Sequence, residues 1–129
     1  MRTKIMLLSA LVAICFSVQA KPTGITVQDV KHLALKQCLV DNYHKRIPPD
    51  AFYAPGHDMS FLVKTYALDN AGKWKPFLKF VAKETEGFDR LTMALHPDSA
   101  KDANNVLERC MAFYESDKLD KYVRETVMK

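Results

Sequence analysis

The sequence predicts an all-helical fold, a small bundle of four to five helices with one disulfide joining the first and fourth helices. Apolar residues recur at helical rather than strand spacing. Prolines and glycines divide the chain into segments of helix length, and two cysteines fall on predicted buried helix faces. The 129 residues are 48% apolar and 26% charged, and they contain no internal repeat or linker-like tract. We therefore expect a single helical domain over residues 21–129.

The first twenty residues are predicted to be a secretory signal peptide. Arg2 and Lys4 precede a mostly apolar run over 5–16, and a Val-Gln-Ala sequence at 18–20 offers the small residues that a signal peptidase recognises. The run is shorter than the roughly 18 consecutive apolar residues that span a bilayer. We expect a periplasmic protein that is not held in a membrane after signal cleavage.

The charge balance gives no sign of nucleic-acid binding. The signal peptide contains two basic residues and no acidic one, so its removal lowers the formal net charge from +4 to about +2. An excess of that size, spread over the domain, makes no basic stripe.

The cysteines predict one disulfide. Cys15 lies inside the signal peptide, so export leaves Cys38 and Cys110 in an oxidising compartment. The bridge would close a loop of roughly 70 residues, worth on the order of 4 kcal/mol in the chain-entropy model. Two free buried thiols are the alternative for this pair. A lipid-modified Cys15 is disfavoured, because Ile14 stands where a lipoprotein signal needs a small residue.

The first predicted helix begins after Thr26 and runs to about Lys45. Thr26 and Asp29 have the spacing of a capping box, with Asp in place of the usual Glu. A Pro-Pro-Asp sequence at 48–50 ends the helix, because consecutive prolines lack donors and force extended backbone before them. The face of this helix that is predicted to point inward carries Val27, Val30, Leu33, Ala34, Cys38 and Leu39.

A second and a third helix follow a loop that ends near Asp58. Asp58 is predicted to cap a helix from Met59 to about Leu68. The third helix is predicted to begin near Pro76, since proline suits a first helical turn, and to end at Gly87. Residues predicted to point inward are Phe61, Leu62, Thr65 and Tyr66 in the second helix, and Phe77, Phe80 and Val81 in the third.

The entrance of the third helix carries two further features. Trp74 is expected either to staple the turn or to face a partner. The nearby lysines indicate a solvated helix face rather than a docking patch; they are Lys73, Lys75, Lys79 and Lys83.

The last two helices are predicted on either side of Ser116. Pro97 and Asp98 indicate the start of a fourth helix that runs to Glu115, and Ser116 and Asp117 cap a short fifth one. Residues predicted to point inward are Ala103, Val106, Leu107, Cys110, Met111, Phe113 and Tyr114 in the fourth helix, and Leu119, Val123 and Val127 in the fifth.

No catalytic, metal or cofactor site is predicted. The chain contains no GxSxG, P-loop, HExxH or CxxCH motif, and a disulfide would leave no cysteine as nucleophile. His57 and Asp58 near Tyr53 form the best acid-base cluster, but loop and cap chemistry explains them equally well. His32 and His44 lie roughly 3.3 helical turns apart, too far round the helix to share a metal.

The segment 84–98 is the strongest candidate for binding. It lies around Gly87 and Pro97 and mixes apolar with polar residues, so part of it is expected to protrude as a loop with an apolar tip. The alternative is a short helical turn over 88–95 that folds onto the core. The apolar residues of this segment are Phe88, Leu91, Met93 and Leu95.

Two blocks around the cysteines carry a resemblance to a known family. The sequence LKQCLVDNYHK surrounds Cys38, and VLERCMAFYESDKLDKYV surrounds Cys110. In these blocks the chain resembles the periplasmic immunity proteins that protect bacteria from type VI secreted peptidoglycan amidases. The resemblance implies an all-helical homodimer that binds a papain-like amidase and blocks its groove with a loop. That loop corresponds to residues 86–96, so the implied partner-binding residues are Glu86, Phe88, Asp89, Arg90 and Leu91.

Two other classes of function stay open at this point. A small periplasmic acid-stress chaperone would also be helical, exported and disulfide-bonded, and would loosen in strong acid and suppress aggregation of unrelated proteins. A carrier of small molecules would need a continuous apolar cavity among its helices. A dedicated inhibitor needs neither property, nor any catalytic residue of its own.

Overall fold

A computed structural model describes residues 20–46, 58–90 and 103–129 of the chain. Within these ranges all regular structure is helical and no strand is present, which confirms the predicted fold class. The described ranges contain five α-helices, and the last continues into a π-helical turn. They are α1 (Val27–His44), α2 (Leu62–Asn70), α3 (Trp74–Glu84), α4 (Val106–Glu115), α5 (Asp117–Tyr122) and the π turn (Val123–Val127).

The long first helix is the centre of the bundle, because α1 contacts each of the other helices and the π turn. Its predicted capping box is confirmed. The Thr26 hydroxyl accepts a hydrogen bond from the Asp29 amide (3.1 Å), and the Asp29 carboxylate accepts one from the Thr26 amide (2.8 Å). The helix therefore begins where the sequence predicts, and it ends one residue before Lys45.

The predicted disulfide is confirmed. Cys38 of α1 and Cys110 of α4 are bonded to each other, with their Cα atoms 5.8 Å apart and both side chains fully buried. The bridge therefore lies inside the apolar core. Around it are the buried core side chains Val30, Leu33, Ala34, Leu68, Phe77, Val81, Val106, Phe113, Leu119, Val123 and Val127.

The second helix begins later than the sequence predicts. Asp58 does not cap a helix at Met59; its carboxylate accepts from the amide of Ser60 (2.7 Å) and holds a tight turn before the helix. Phe61 then has a left-handed backbone (φ 65°), which interrupts helical geometry, so α2 begins at Leu62.

The fourth helix also begins later, at Val106. Residues 103–105 are not helical, and the Asn104 side chain accepts from the amide of Val106 (3.3 Å). Pro97 and Asp98, the predicted start signals, lie outside the described residues. In contrast, Ser116 caps α5 as predicted, accepting from the amide of Leu119 (3.2 Å).

Four of the predicted side-chain positions are wrong. Phe61 and Tyr66 are 37% and 56% exposed. Phe61 precedes the helix, and α2 directs Leu68 rather than Tyr66 into the core. Leu107 is 55% exposed, since the buried stripe of α4 follows Val106, Cys110 and Phe113 at helical spacing and Leu107 falls outside it. Lys73 is buried rather than solvated, and its ammonium donates to the carbonyl of Thr126 (3.0 Å).

Trp74 is half-buried at the start of α3. It packs against the core, and its ring stacks on that of Phe77 at 5.7 Å. This packing favours the first of the two alternatives for Trp74, in which the indole staples the helix entrance. Pro76 occupies the third residue of α3, still within the first turn, where its missing amide proton leaves no helical hydrogen bond unmade.

Candidate functional site

Residues 85–90 form two consecutive turns directly after α3, and we call this segment the 85–90 turn. The amide of Phe88 donates to the carbonyl of Thr85 (3.2 Å), and the amide of Arg90 donates to that of Gly87 (3.1 Å). Gly87 has a positive φ of 78°, which glycine adopts without strain. Four predicted partner-binding residues therefore lie in one short segment: Glu86, Phe88, Asp89 and Arg90. Leu91 and the rest of the predicted loop to residue 96 lie outside the described residues.

Phe88 anchors the 85–90 turn to the bundle. Its half-buried ring packs against the core, and the guanidinium of Arg109 lies over that ring at 4.3 Å from its centroid. Phe88 thus packs on the bundle, but residues 88–90 are not helical, and most of the alternative helical turn over 88–95 lies outside the described residues. Glu86 and Arg90 are the exposed side chains of the 85–90 turn, and Asp89 is half-buried.

Two arginines from other elements hold the backbone of the turn. Arg109 of α4 donates to the carbonyls of Gly87 (2.8 Å) and Arg90 (3.3 Å). Arg46, just after α1, donates to the carbonyl of Asp89 and to that of Ala103 (3.1 Å). Both arginines therefore extend from the two helices that the disulfide joins, and together they fix the carbonyls of three of the last four residues of the turn.

A buried amide connects α1 to the start of the turn. Asn42 is completely buried, and its side-chain nitrogen donates to the carbonyl of Cys38 (2.9 Å) and to the hydroxyl of Thr85 (3.3 Å). Thr85, also buried, donates in turn to the carbonyl of Val81 (2.9 Å). Since buried polar groups are expensive to leave unpaired, this chain of bonds fixes where α3 ends and the turn begins.

The charges at the turn are mixed, with cations in excess. Lys45 and Asp89 form a loose ion pair at 4.0 Å. Arg46, Arg90 and Arg109 add three guanidinium groups. Glu86 is the second carboxylate of the turn and is exposed to solvent.

A groove beside α1 is a separate feature of the surface. The groove, of about 280 Å³, is mostly apolar, and the ammonium of Lys36 bridges its edge by donating to the carbonyls of Asp58 and Ser60. Phe61 closes one end, and its ring stacks on His32 at 5.6 Å. The groove could accept an apolar side chain but carries no reactive constellation. Its main lining residues are His32, Leu35, Leu39, Val40, Tyr43 and Phe61.

The described residues offer no other chemistry that the sequence had pointed to. No three His, Cys, Asp or Glu side chains among them are grouped as metal ligands would be. None of the helices in the described ranges is long and apolar enough to cross a membrane. His57 and Tyr53, the sequence-based acid-base candidates, lie outside those ranges.

Sequence reasoning missed the residues that hold the turn. Arg46 and Arg109 contact backbone 43 and 22 residues away in the chain, and Asn42 contacts Thr85 across 43 residues. No local pattern marks such long-range bonds. The one available signal was position, because Arg46 follows the end of α1 and Arg109 immediately precedes Cys110.

The comparisons with known proteins do not assign the chain to a family. The chain matches no protein-family model, and neither the curated proteins nor the solved structures include a significant match.

Proposed function

We propose that the mature chain is a periplasmic immunity protein that binds a type VI secreted, papain-like peptidoglycan amidase and sterically blocks its groove. The two cysteine-centred sequence blocks support the choice of family. The observation that carries the proposal is the 85–90 turn, whose backbone is held by Arg46 and Arg109. Four of the residues that the resemblance implies for partner binding lie in this turn.

Steric inhibition follows from what an amidase needs. An enzyme with a Cys–His pair must keep its groove open to admit the peptide stem of peptidoglycan. A segment that occupies the groove excludes the substrate, whatever its own chemistry. A turn fixed in the free inhibitor loses little conformational entropy on binding, so more of the contact energy appears as affinity. In this proposal the protein is an inhibitor and not an enzyme.

Export is part of the proposal. The toxin would act on the cell wall, so its inhibitor must reach the periplasm, where Cys38 and Cys110 oxidise. Residues 1–19 lie outside the described residues, and signal cleavage stays a prediction. Amino-terminal sequencing of the exported protein is expected to begin at Lys21. We also propose that the inhibitor is a homodimer, as the resemblance implies, which sedimentation of the mature chain will test.

The test uses a candidate amidase from the same organism. We expect the two proteins to copurify, and hydrolysis of peptidoglycan stems to fall to background at about one equivalent of inhibitor. An amidase that stays fully active in molar excess of the oxidised, mature chain would refute the proposed function.

Variants of the turn test where the amidase binds. Phe88→Ala and Asp89→Lys are expected to weaken binding in calorimetry, because the first removes the anchor of the turn and the second replaces the Lys45–Asp89 ion pair with a like-charge repulsion that displaces the turn. Changes at His57 are expected to leave binding nearly unchanged. Glu125→Lys, which reverses an exposed charge in the π turn, is the matched control for Asp89→Lys. Unchanged affinity for both turn variants would reject this placement of the binding surface while leaving inhibition itself intact.

A further inference from the structure

Three guanidinium groups converge on residues 87–90. Arg109 donates to the carbonyl of Gly87 (2.8 Å), and Arg46 donates to that of Asp89. The side chain of Arg90 folds back over Gly87 so closely that a Cβ on that glycine would lie 3.2 Å from the Arg90 Nη2 atom. Gly87 therefore has one guanidinium on its carbonyl and another over its Cα atom.

These three charges have no carboxylate partner among the described residues. Arg46 and Arg109 donate only to backbone carbonyls, and the side chain of Arg90 makes no hydrogen bond there. Asp89, which precedes Arg90 in the sequence, pairs with Lys45 instead. Ion pairs elsewhere in the described ranges use four further basic residues, Lys31, Lys64, Lys118 and Arg124.

Guanidinium groups without a carboxylate are poorly suited to a buried contact. A partner that covers this turn removes water from the arginines, and burying an unpaired charge is strongly unfavourable. A partner that brings carboxylates gains charge-assisted, often bidentate hydrogen bonds. Clustered charge of one sign also speeds the encounter with a surface of the opposite sign.

We propose that Arg46, Arg90 and Arg109 form an anion-receiving face that docks on an acidic protein surface. This inference rests on the proposed function and specifies the partner: the amidase presents Asp or Glu side chains where it contacts the 85–90 turn. Arg90 is the main contact residue, since its guanidinium is exposed and makes no hydrogen bond in the described ranges. Arg46 and Arg109 contribute charge while they hold the backbone.

Arg90 also gives the cleanest variant. Substitution of Arg46 or Arg109 would release backbone carbonyls of the turn, whereas Arg90→Glu removes no described hydrogen bond. Lys75→Glu is the matched control, because it makes the same change of charge at an exposed site. Lys75 lies in the first turn of α3, roughly 14 Å along the helix from its other end, where the 85–90 turn begins.

The experiment measures the association rate of the mature, oxidised chain with the copurifying amidase. Across about 0.05 to 0.5 M salt, we expect the rate for wild type to fall steeply, because salt screens the attraction. We expect Arg90→Glu to slow association by about tenfold and Lys75→Glu by no more than about twofold. Thermal midpoints equal to that of wild type for both variants will show that the fold is intact.

Further outcomes separate the inference from the function on which it rests. If the amidase binds but the rate is insensitive to salt and Arg90→Glu matches Lys75→Glu, the inference is overturned and the immunity function stands. If no amidase binds at any salt concentration, both are overturned. If duplex DNA binds in the same assay with the same Arg90 dependence, the assignment to a protein partner is overturned. Rescue of Arg90→Glu by an Asp→Lys or Glu→Lys change on the amidase would confirm that the arginines dock on an acidic surface of that enzyme.

Discussion

The side-chain amide of Asn42 donates a hydrogen bond to the hydroxyl of Thr85 across 3.3 Å, and both residues are almost completely buried. The same amide donates to the carbonyl of Cys38 at 2.9 Å. One turn of α1 thus carries both the disulfide and the contact that fixes the start of the 85–90 turn. The disulfide and the proposed binding surface are thus connected through the buried side chain of Asn42.

Removal of this amide should destabilise the fold. Asn42→Ala deletes these two hydrogen bonds, a weak one to the Cys38 sulfur (3.8 Å) and one that the Asn42 oxygen accepts from Lys45 (3.5 Å). It is expected to lower the free energy of unfolding by about 1–3 kcal/mol. In a double-mutant cycle with Thr85→Val, we expect a coupling energy of about 1 kcal/mol in urea unfolding. Asn70→Ala, at the exposed end of α2, is the control and should have little effect. Additive effects of Asn42→Ala and Thr85→Val would show that the two side chains are not coupled.

The disulfide should supply a large part of the stability. Cys38 and Cys110 lie 72 residues apart, and the chain-entropy model gives about 4 kcal/mol for closing a loop of that length. We expect the Cys38→Ala/Cys110→Ala double variant to lose about that much free energy of unfolding, measured by guanidinium titration. A loss below about 1 kcal/mol would mean that the bridge is dispensable to the bundle.

Gly87 should matter to binding more than to stability. Gly87→Ala places a Cβ at positive φ and 3.2 Å from Arg90 Nη2, so the Arg90 guanidinium must shift by a few tenths of an ångström. Gly72 is a close control, since its φ is 68° and a Cβ there would have open space around it. We expect each variant to lose about 1–2 kcal/mol of stability. Calorimetry with the amidase should show weaker binding for Gly87→Ala alone, and an equal effect of the two would contradict this.

The free energy of unfolding should decrease in acid as Asp29 becomes protonated. A hydrogen bond from Lys64, at 2.8 Å, and one from the backbone of Thr26 lower the pKa of Asp29 from 3.8 to about 2. The folded state therefore favours the carboxylate, so its contribution is present above about pH 4 and is lost as the pH falls toward 2. The same groups hold α2 to the start of α1.

Asp29→Asn tests that dependence. Compared with wild type, it should be less stable at neutral pH, and the difference should shrink as the pH falls from about 4 to 2. Urea midpoints measured across this range will show it. Asp69→Asn, which removes an exposed carboxylate of α2, should keep the profile of wild type. A constant difference between Asp29→Asn and wild type at all pH values would exclude the proposed titration.

Local chemistry explains what the sequence predicted well. Thr26 and Ser116 form their caps with residues three positions away, and the apolar spacing of α1 and α4 places Cys38 and Cys110 on buried faces. These features depend on neighbours along the chain, so a single sequence contains them. The all-helical class and the disulfide follow from them.

The sequence-based errors arise where other residues, near or distant in the chain, compete with the local pattern for a hydrogen bond or a backbone conformation. Asp58 binds the Ser60 amide instead of capping a helix, and Phe61 adopts a left-handed backbone that no periodicity reveals. Lys73 is buried, and its ammonium donates a hydrogen bond to a carbonyl 53 residues away. The sequence does not reveal the site for the same reason, since Arg46 and Arg109 reach the 85–90 turn only after the bundle has formed.

One other surface competes with the 85–90 turn for the role of binding site. Around α2, Met59, Val63 and Tyr66 are 65%, 77% and 56% exposed, an apolar set that a partner could cover. The two surfaces are carried by different segments, so a measurement resolved along the chain separates them.

Hydrogen–deuterium exchange of the chain, free and in complex with the amidase, tests the central claim most directly. We expect slower exchange in the complex for amides of residues 86–90 and around Arg46, with residues 59–67 unchanged. Slower exchange confined to residues 59–67, with the 85–90 turn unaffected, would contradict the account.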